Sequence, residues 1–349
     1  MMTFRKFSAG GVSVPAAVAW SLEELGQARG RQDLYTRQSP QKLRVLREHA
    51  LIESAVSSNR IEGVEVDQKR VTTLIFGNPA LRDRDEEEVR GYRDALELIH
   101  TQAAQLLIDE RTIKRFHSLV RGQIWDAGKY KDKAEPIIER YGDGRTRVRF
   151  MPVEAGAATE SAMAELCQLW SANDAQRWVP PLVSLGAFGL DFLCIHPFRD
   201  GNGRVSRLLM LLQTYYAGLE VGRYISLERV IEQNKERYYQ TLERSSVSWH
   251  EGKHDPWPFI GYMLFILKEA YREFESRVGQ TADERGSKAE LVRQAVERQN
   301  GPFRLSDIEG ACPGVGRDWI RSILRKMKAA GELRSSGRGP AALWERIGK

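Results

Sequence analysis

His196-Pro197-Phe198-Arg199-Asp200-Gly201-Asn202-Gly203-Arg204-Val205-Ser206-Arg207 brings a histidine, a carboxylate and a Gly-Asn-Gly turn followed by two arginines into one short segment. A nucleotide polyphosphate needs backbone N–H donors, fixed positive charge and a metal-binding carboxylate at the same place. The segment supplies all three and reads as a triphosphate site. Before it, Leu182 to Ile195 is apolar almost all round, which predicts a buried helix ending at His196, ahead of Pro197. After it, Leu208, Leu209, Leu211, Leu212 and Tyr215 recur at the spacing of a core-facing helix, with Gly218 as its stop. The glycine turn therefore opens a helix, where unpaired N–H groups favour an anion and the missing Cβ atoms let a phosphate approach. Arg204 and Arg207 share a face of its first turn. A calcium loop is excluded, because the sixth-position glycine and twelfth-position glutamate are missing, and no Gly-Lys-Ser/Thr follows any glycine loop.

These residues resemble the motif of the Fic family, His-x-Phe-x-Asp/Glu-Gly-Asn-Gly-Arg-x-x-Arg, and every fixed position is filled. The resemblance implies a helical core that transfers the AMP part of ATP to a Tyr, Thr or Ser hydroxyl of a target protein or of itself. It implies His196 as general base and Asp200 as Mg²⁺ ligand. Gly201, Asn202 and Gly203 would hold the α- and β-phosphates, Arg204 the β-phosphate and Arg207 the γ-phosphate. The chemistry agrees: a histidine titrating at about 6.5 suits a base working near neutrality, and Mg²⁺ with arginines meets the charge on a pyrophosphate leaving group. Phe198 reads as an apolar anchor for the loop.

Ser39-Pro40 is a good helix start, helical spacing runs from Leu43 through Leu46 and Leu51 to Ile61, and Gly63 suits a left-handed stop. Ser58-Asn59-Arg60-Ile61-Glu62-Gly63 resembles the inhibitory motif Ser/Thr-x-x-x-Glu-Gly/Asn that accompanies many Fic domains. Ser58 and Glu62 share one helix face, and the resemblance implies that Glu62 occupies Arg207 and keeps ATP in an unreactive pose. It leaves open that Glu62 also supports removal of AMP. Further on, Ile137-Ile138-Glu139 and Arg145 to Phe150 flank Gly142-Asp143-Gly144, which predicts a β-hairpin. In the family such a flap aligns the target by strand addition. Tyr238 and Tyr239 resemble the nucleoside-side helix, with Asn234 before them, and His117 reads as a packed histidine.

The chain of 349 residues is 42% apolar, ample for real cores, and carries a net charge of +6. Cys167, Cys194 and Cys312 are widely spaced, so neither a disulfide framework nor a zinc site is indicated. A cytoplasmic location fits, and neither a secretion signal nor a membrane span is expected. From Arg317 to Lys349 nine Lys/Arg stand against three Asp/Glu. After a polar linker at 280–286, three helical patterns (288–299, 305–311, 317–330) and two short strands around a glycine-rich wing read as a winged helix. Trp319, Ile320, Ile323, Leu324 and Met327 would fill its core, with Arg317, Arg321, Arg325 and Lys328 outward, a face suited to DNA or to protein docking.

The expected architecture is mostly α. An N-terminal helical segment (1–108) carries the inhibitory helix (39–63), a Fic helical bundle with a β-hairpin flap spans 109–275, and a C-terminal winged-helix domain spans 285–349. The leading function is autoinhibited protein adenylylation with ATP and Mg²⁺. Rivals are transfer of another nucleotide group such as UMP, and a DNA-binding regulator in which the Fic core senses nucleotide. The resemblance also admits a homodimer.

Overall fold

The central element is the apolar run 181–195, which forms a helix with Val183, Leu185, Phe188, Leu190, Phe192 and Ile195 all buried. A helix apolar on every side has to be surrounded, and other helices pack against it. The computed structural model describes residues 2–36, 40–133, 136–140, 145–279, 284–297, 299, 301–312, 315–337 and 342–347. They divide into two compact units, residues 1–34 with 46–273 and residues 35–45 with 274–349. The residues on both sides of the expected boundary between 108 and 109 lie within the first unit.

In chain order, α1 is Thr3–Ser8, α2 Ala16–Thr36, α3 Pro40–Ile61, α4 Gln68–Phe76, α5 Arg84–Gln102 and α6 Glu110–Arg121. A hairpin of β1 (Ile137–Arg140) and β2 (Thr146–Phe150) follows. Then come α7 (Ala157–Gln176), the central α8 (Pro181–Ile195), α9 (Asn202–Tyr216), α10 (Leu227–Gln233), α11 (Lys235–Ser246) and α12 (Trp257–Gly279). The helix α8 packs on α7, α9, α1 and α11, and α9 also touches α5 and α6. Side-chain caps set several helix starts: Asp83 accepts from the Glu86 N–H at 2.9 Å and Asp109 from the Thr112 N–H at 2.8 Å. Ser39, expected to cap α3, lies outside the described residues.

The contact between α5 and α6 depends on a missing side chain. A Cβ built at Gly91 would lie 1.9 Å from the carbonyl oxygen of Leu119, so only glycine lets these helices approach so closely. That approach sets Glu88, one turn earlier on α5, against Arg121 at the end of α6.

The hairpin is antiparallel, pairing Ile138 with Val148 and Glu139 with Arg147, with a register shift between Ile137 and Ile138. Its expected Gly142-Asp143-Gly144 turn lies outside the described residues. Arg147 and Arg149 both reach Glu243 of α11, at 2.6 and 4.0 Å, which ties β2 to that helix.

The second unit contains α13 (Glu284–Glu297), β3 (Phe303–Arg304), α14 (Leu305–Ala311), α15 (Arg317–Ala329), β4 (Leu333–Ser336) and β5 (Leu343–Arg346). Among the described residues its strands are ordered β3-β5-β4, all antiparallel, around a core that includes Val292, Phe303, Ile308, Leu324 and Trp344. Two expectations change. The strand β3 was not foreseen, because two residues carry no alternation. Trp319 is 39% exposed and does not join the core, since α15 buries Ile320, Ile323, Leu324 and Met327 and position 319 falls about a quarter turn off that face. Residues 280–283 of the expected linker and 338–341 of the expected wing lie outside the described residues.

Candidate functional site

The end of α8 and the start of α9 build the site. His196 closes α8 in the left-handed region at φ 51°, with its N–H still bonded to the Phe192 carbonyl at 2.9 Å. Gly201, at φ 80°, opens α9. Between them the chain is clasped by Asn202, whose Oδ1 accepts from the Phe198 N–H at 2.9 Å and whose Nδ2 donates to the Phe198 carbonyl at 2.7 Å. The Asn202 side chain is thus spent on the loop, and any hold it has on a phosphate falls to its backbone N–H. Phe198 is buried and stacks on His117 with ring centres 3.8 Å apart. His117 Nδ1 accepts from the Gly128 N–H at 2.8 Å, leaving Nε2 to donate to the Asp200 carbonyl at 3.0 Å. Burial pushes the His117 pKa down to about 4, so it is a neutral packed histidine, as read from sequence.

The two arginines of α9 have different partners. Arg207 is buried and donates from Nε to Ser58 Oγ at 2.8 Å, and from Nη2 to the Ser58 carbonyl at 2.9 Å and to Glu62 Oε1 at 2.7 Å. Its Nη1 is buried without a hydrogen-bond partner. Burial works to lower the Arg207 pKa, but Glu62 beside it holds the guanidinium above its ordinary value. A Cβ on Gly203 would stand 2.3 Å from Glu62 Oε1 and 3.2 Å from Arg207 Nη1. The Glu62 carboxylate therefore lies on the backbone of the first turn of α9, where an anion is favoured. Glu62 follows directly on the end of α3, and the chain turns away just after it at Gly63, φ 85°, with the Val64 N–H reaching back to the Asn59 carbonyl at 3.0 Å.

Arg204 is deeper, with 1% of its side chain exposed. Its Nη1 donates to Glu88 Oε2 at 2.6 Å and to Asn59 Oδ1 at 3.2 Å, and its Nη2 lies 3.7 Å from Asp200 Oδ1. The other oxygen of Glu88 accepts from Arg121 at 3.2 Å, and Arg121 also pairs with Asp200. A buried chain of alternating charge, Arg204, Glu88, Arg121, Asp200, thus runs beneath the loop. Asp200 at its end has a side chain 57% exposed. Burial works to raise its pKa, but Arg121 and Arg204 hold it below the ordinary carboxylate range. Among the described residues no cluster of three or more His, Cys, Asp or Glu could hold a metal by itself. A single ionised, outward-facing carboxylate fits Mg²⁺, which takes one or two carboxylates and completes its shell with water and substrate phosphates.

His196, Glu62 and Gly203 open into a cleft of about 460 Å³. Ile137, Ile138, Arg149 and Phe150 of the hairpin and Tyr238, Tyr239, Leu242 and Glu243 of α11 line it. Tyr238 is buried against Phe259 and Tyr262, with its ring edge-on to Tyr239 at 5.2 Å, so it is chiefly core. Tyr239 is the more accessible of the two and is flanked by Arg149 and Lys235 at 5.7 and 5.9 Å. Asn234 donates from Nδ2 to the Val230 carbonyl at 2.9 Å, across the junction of α10 and α11. Glu139 lies in β1 opposite Arg147. The His196 pKa is pushed down to about 4, by burial first and then by Lys131.

Sequence reasoning missed Asn59, Glu88, Arg121 and Lys131. Glu88 sits in the run Asp85-Glu86-Glu87-Glu88, which reads as acids favouring a helix N-terminus. A second signal was present: Glu88, Tyr92, Ala95 and Ile99 form one helical stripe, and all four are buried. An acid on an apolar stripe has to be paired.

Residues 107–214 match the model of the Fic/DOC family. Among solved structures, the chain is similar to a Fic family protein from Desulfovibrio desulfuricans, with 25% identity, 97% of this chain and 98% of that one covered, and a TM-score of 0.61. It shares its fold with a Fic domain containing signaling protein from Bacteroides thetaiotaomicron, at 19% identity and a TM-score of 0.58, covering 74% of this chain and 98% of that one. It likewise shares the fold of Fic-1 from C. elegans, at 18% identity and a TM-score of 0.58, covering 76% of this chain and 74% of that one. Among the described residues no helix is long and apolar enough to cross a membrane.

Proposed function

We propose, from the premise that the chain carries a Fic/DOC domain over residues 107–214, that it is a protein adenylyltransferase held in check by Glu62. The observation that carries this reading is the Glu62–Arg207 ion pair at 2.7 Å, lying on the first turn of α9 in the cleft that also holds His196. A carboxylate at that place stands in for the anion that Gly203 and Arg207 would otherwise bind.

In the reaction a target hydroxyl oxygen attacks the α-phosphorus, forming the new O–P bond while the bond to pyrophosphate breaks. The hydroxyl proton passes to the neutral imidazole of His196. The N–H groups at the start of α9 and the Arg207 guanidinium meet the charge that builds on the leaving group. Asp200 would hold Mg²⁺, which when bound neutralises phosphate charge. Ile138 and Val148, paired across the hairpin and exposed by 41% and 55%, give a target segment an apolar strand to lie against. With Glu62 on Arg207, the γ-phosphate loses its partner and ATP is left misaligned.

Intact-mass spectrometry after incubation with ATP and Mg²⁺ tests this. Glu62→Gly should gain one adenylyl mass on itself or on an added target, and Glu62→Gly/His196→Ala should gain none. An adduct that persists without His196 would overturn the assignment.

A second reading concerns residues 274–349. The order helix, short strand, two helices, two strands supports a winged helix with α15 as its recognition element. Arg317, Arg325, Lys326 and Lys328 are exposed on α15, whereas Arg321 is half-buried and pairs with Asp318 at 2.8 Å. Gel retardation of duplex DNA, lost in Arg325→Ala/Lys326→Ala and weakened by salt, would support this reading. No retardation at low salt would sink it.

A further inference from the structure

Lys131 grips three consecutive carbonyls at the point where α8 ends. Its ammonium donates to the Ile195 and His196 carbonyls, both at 2.9 Å, and its backbone N–H donates to the Pro197 carbonyl at 2.8 Å. Its own carbonyl accepts from the Gly156 N–H at 3.4 Å, which fastens the grip to the segment that begins α7. The residue is 4% exposed, so these bonds are made out of water, where they are strong and where losing one leaves a buried group unsatisfied.

Two features of His196 need such a grip. Its backbone sits at φ 51°, a conformation that a residue with a Cβ keeps only when its surroundings impose it. Its imidazole also has to stay neutral to accept a proton. The charged groups facing it are Lys131, Glu62 and Asp200. The Leu193 carbonyl and the two carboxylates favour the protonated ring, and Lys131 opposes them. The carbonyl end of α8 adds negative potential, which the ammonium caps. Burial draws the Lys131 pKa down to about 8, which still leaves it mostly charged at neutral pH.

We propose that Lys131 is the positioning residue for His196, fixing the left-handed turn that aims the imidazole into the cleft and holding a positive charge beside it opposite Glu62 and Asp200. The proposal rests on His196 as the base of nucleotidyl transfer, and the test separates the two claims.

Histidine-selective NMR titration of the full chain reads the imidazole without needing catalysis, with the His196 signal identified by its loss in His196→Ala. Lys131→Met should raise the His196 titration midpoint by about one unit, and Lys131→Arg should leave it in place. In a Glu62→Gly background, the rate of AMP incorporation by Lys131→Met should fall off at correspondingly higher pH. Its kcat at neutral pH should fall about tenfold or more, with the KM for ATP changed by less than about twofold. Lys131→Gln, which keeps N–H donors but no charge, serves if the methionine variant does not fold, and should show the same shift. An unmoved His196 midpoint in a folded neutral variant overturns the proposal. An inactive Glu62→Gly parent overturns the transferase reading while leaving the titration result to stand by itself.

Discussion

Glu62 and Arg207 meet at 2.7 Å with the carboxylate packed on the backbone of Gly203, so one contact occupies both the arginine and the helix N-terminus. Removing that carboxylate frees both at once. Glu62→Gly should raise the initial rate of AMP incorporation on the order of a hundredfold, the scale set by breaking a largely buried charge pair. Ser58→Ala, which removes one of the two Ser58 contacts to Arg207, should raise it far less. Equal rates in wild type and Glu62→Gly would show that the pair does not inhibit.

Gly203→Ala separates inhibition from binding. The new methyl collides only with the ends of flexible side chains, Glu62 and Arg207, so the protein should fold with little change in Tm. It would also occupy the approach to the α9 N-terminus. The variant should therefore bind ATP at least tenfold more weakly by calorimetry, and Glu62→Gly should not rescue it. Restored binding in the double variant would mean that the phosphates sit elsewhere.

Glu88 joins Arg204 and Arg121, both nearly fully buried. Glu88→Ala leaves two guanidinium groups without their shared carboxylate, and stability should drop by about 3–5 kcal/mol in urea unfolding. A loss under about 1 kcal/mol would mean that the arginines find other partners.

Acid should destabilise the fold well above the carboxylate range. The pKa of His100 is lowered to about 3, and those of His117, His196 and His254 to about 4, burial being the first cause in each. Between about 6.5 and 4 the unfolded chain binds protons that the folded chain refuses, so stability is whole above about 6.5 and falls as pH drops towards 4. Asp191 works the other way, since burial raises its pKa to about 6 and the folded form takes up its proton first. Four histidines outweigh one carboxylate, each uncompensated proton costing about 1.4 kcal/mol per pH unit. Melting temperatures across this range should fall steadily, and a flat profile from pH 7 to 4 would contradict the burial of these rings.

Much of this was legible because its signals are local. The apolar run before His196, the glycines at 201 and 203 and the helical spacing after them are consecutive in the chain, and α8 and α9 follow with boundaries within a residue or two. The Ser58–Glu62 spacing likewise carries its own geometry. Glu88, Arg121 and Lys131 were not legible as site residues because their partners are far along the chain, Glu88 meeting Arg204 across 116 residues and Lys131 meeting His196 across 65. Trp319 misled for the opposite reason: an aromatic next to an apolar face looks like part of it until the helix is turned in space.

Protein labelling by ATP carrying radioactivity at the α- or at the γ-phosphate tests AMP transfer controlled at Arg207 most directly. Label from the α position alone, strong in Glu62→Gly, faint in wild type and absent from Glu62→Gly/His196→Ala, is the predicted result. Label from the γ position, or no label from either ATP in Glu62→Gly, would contradict it.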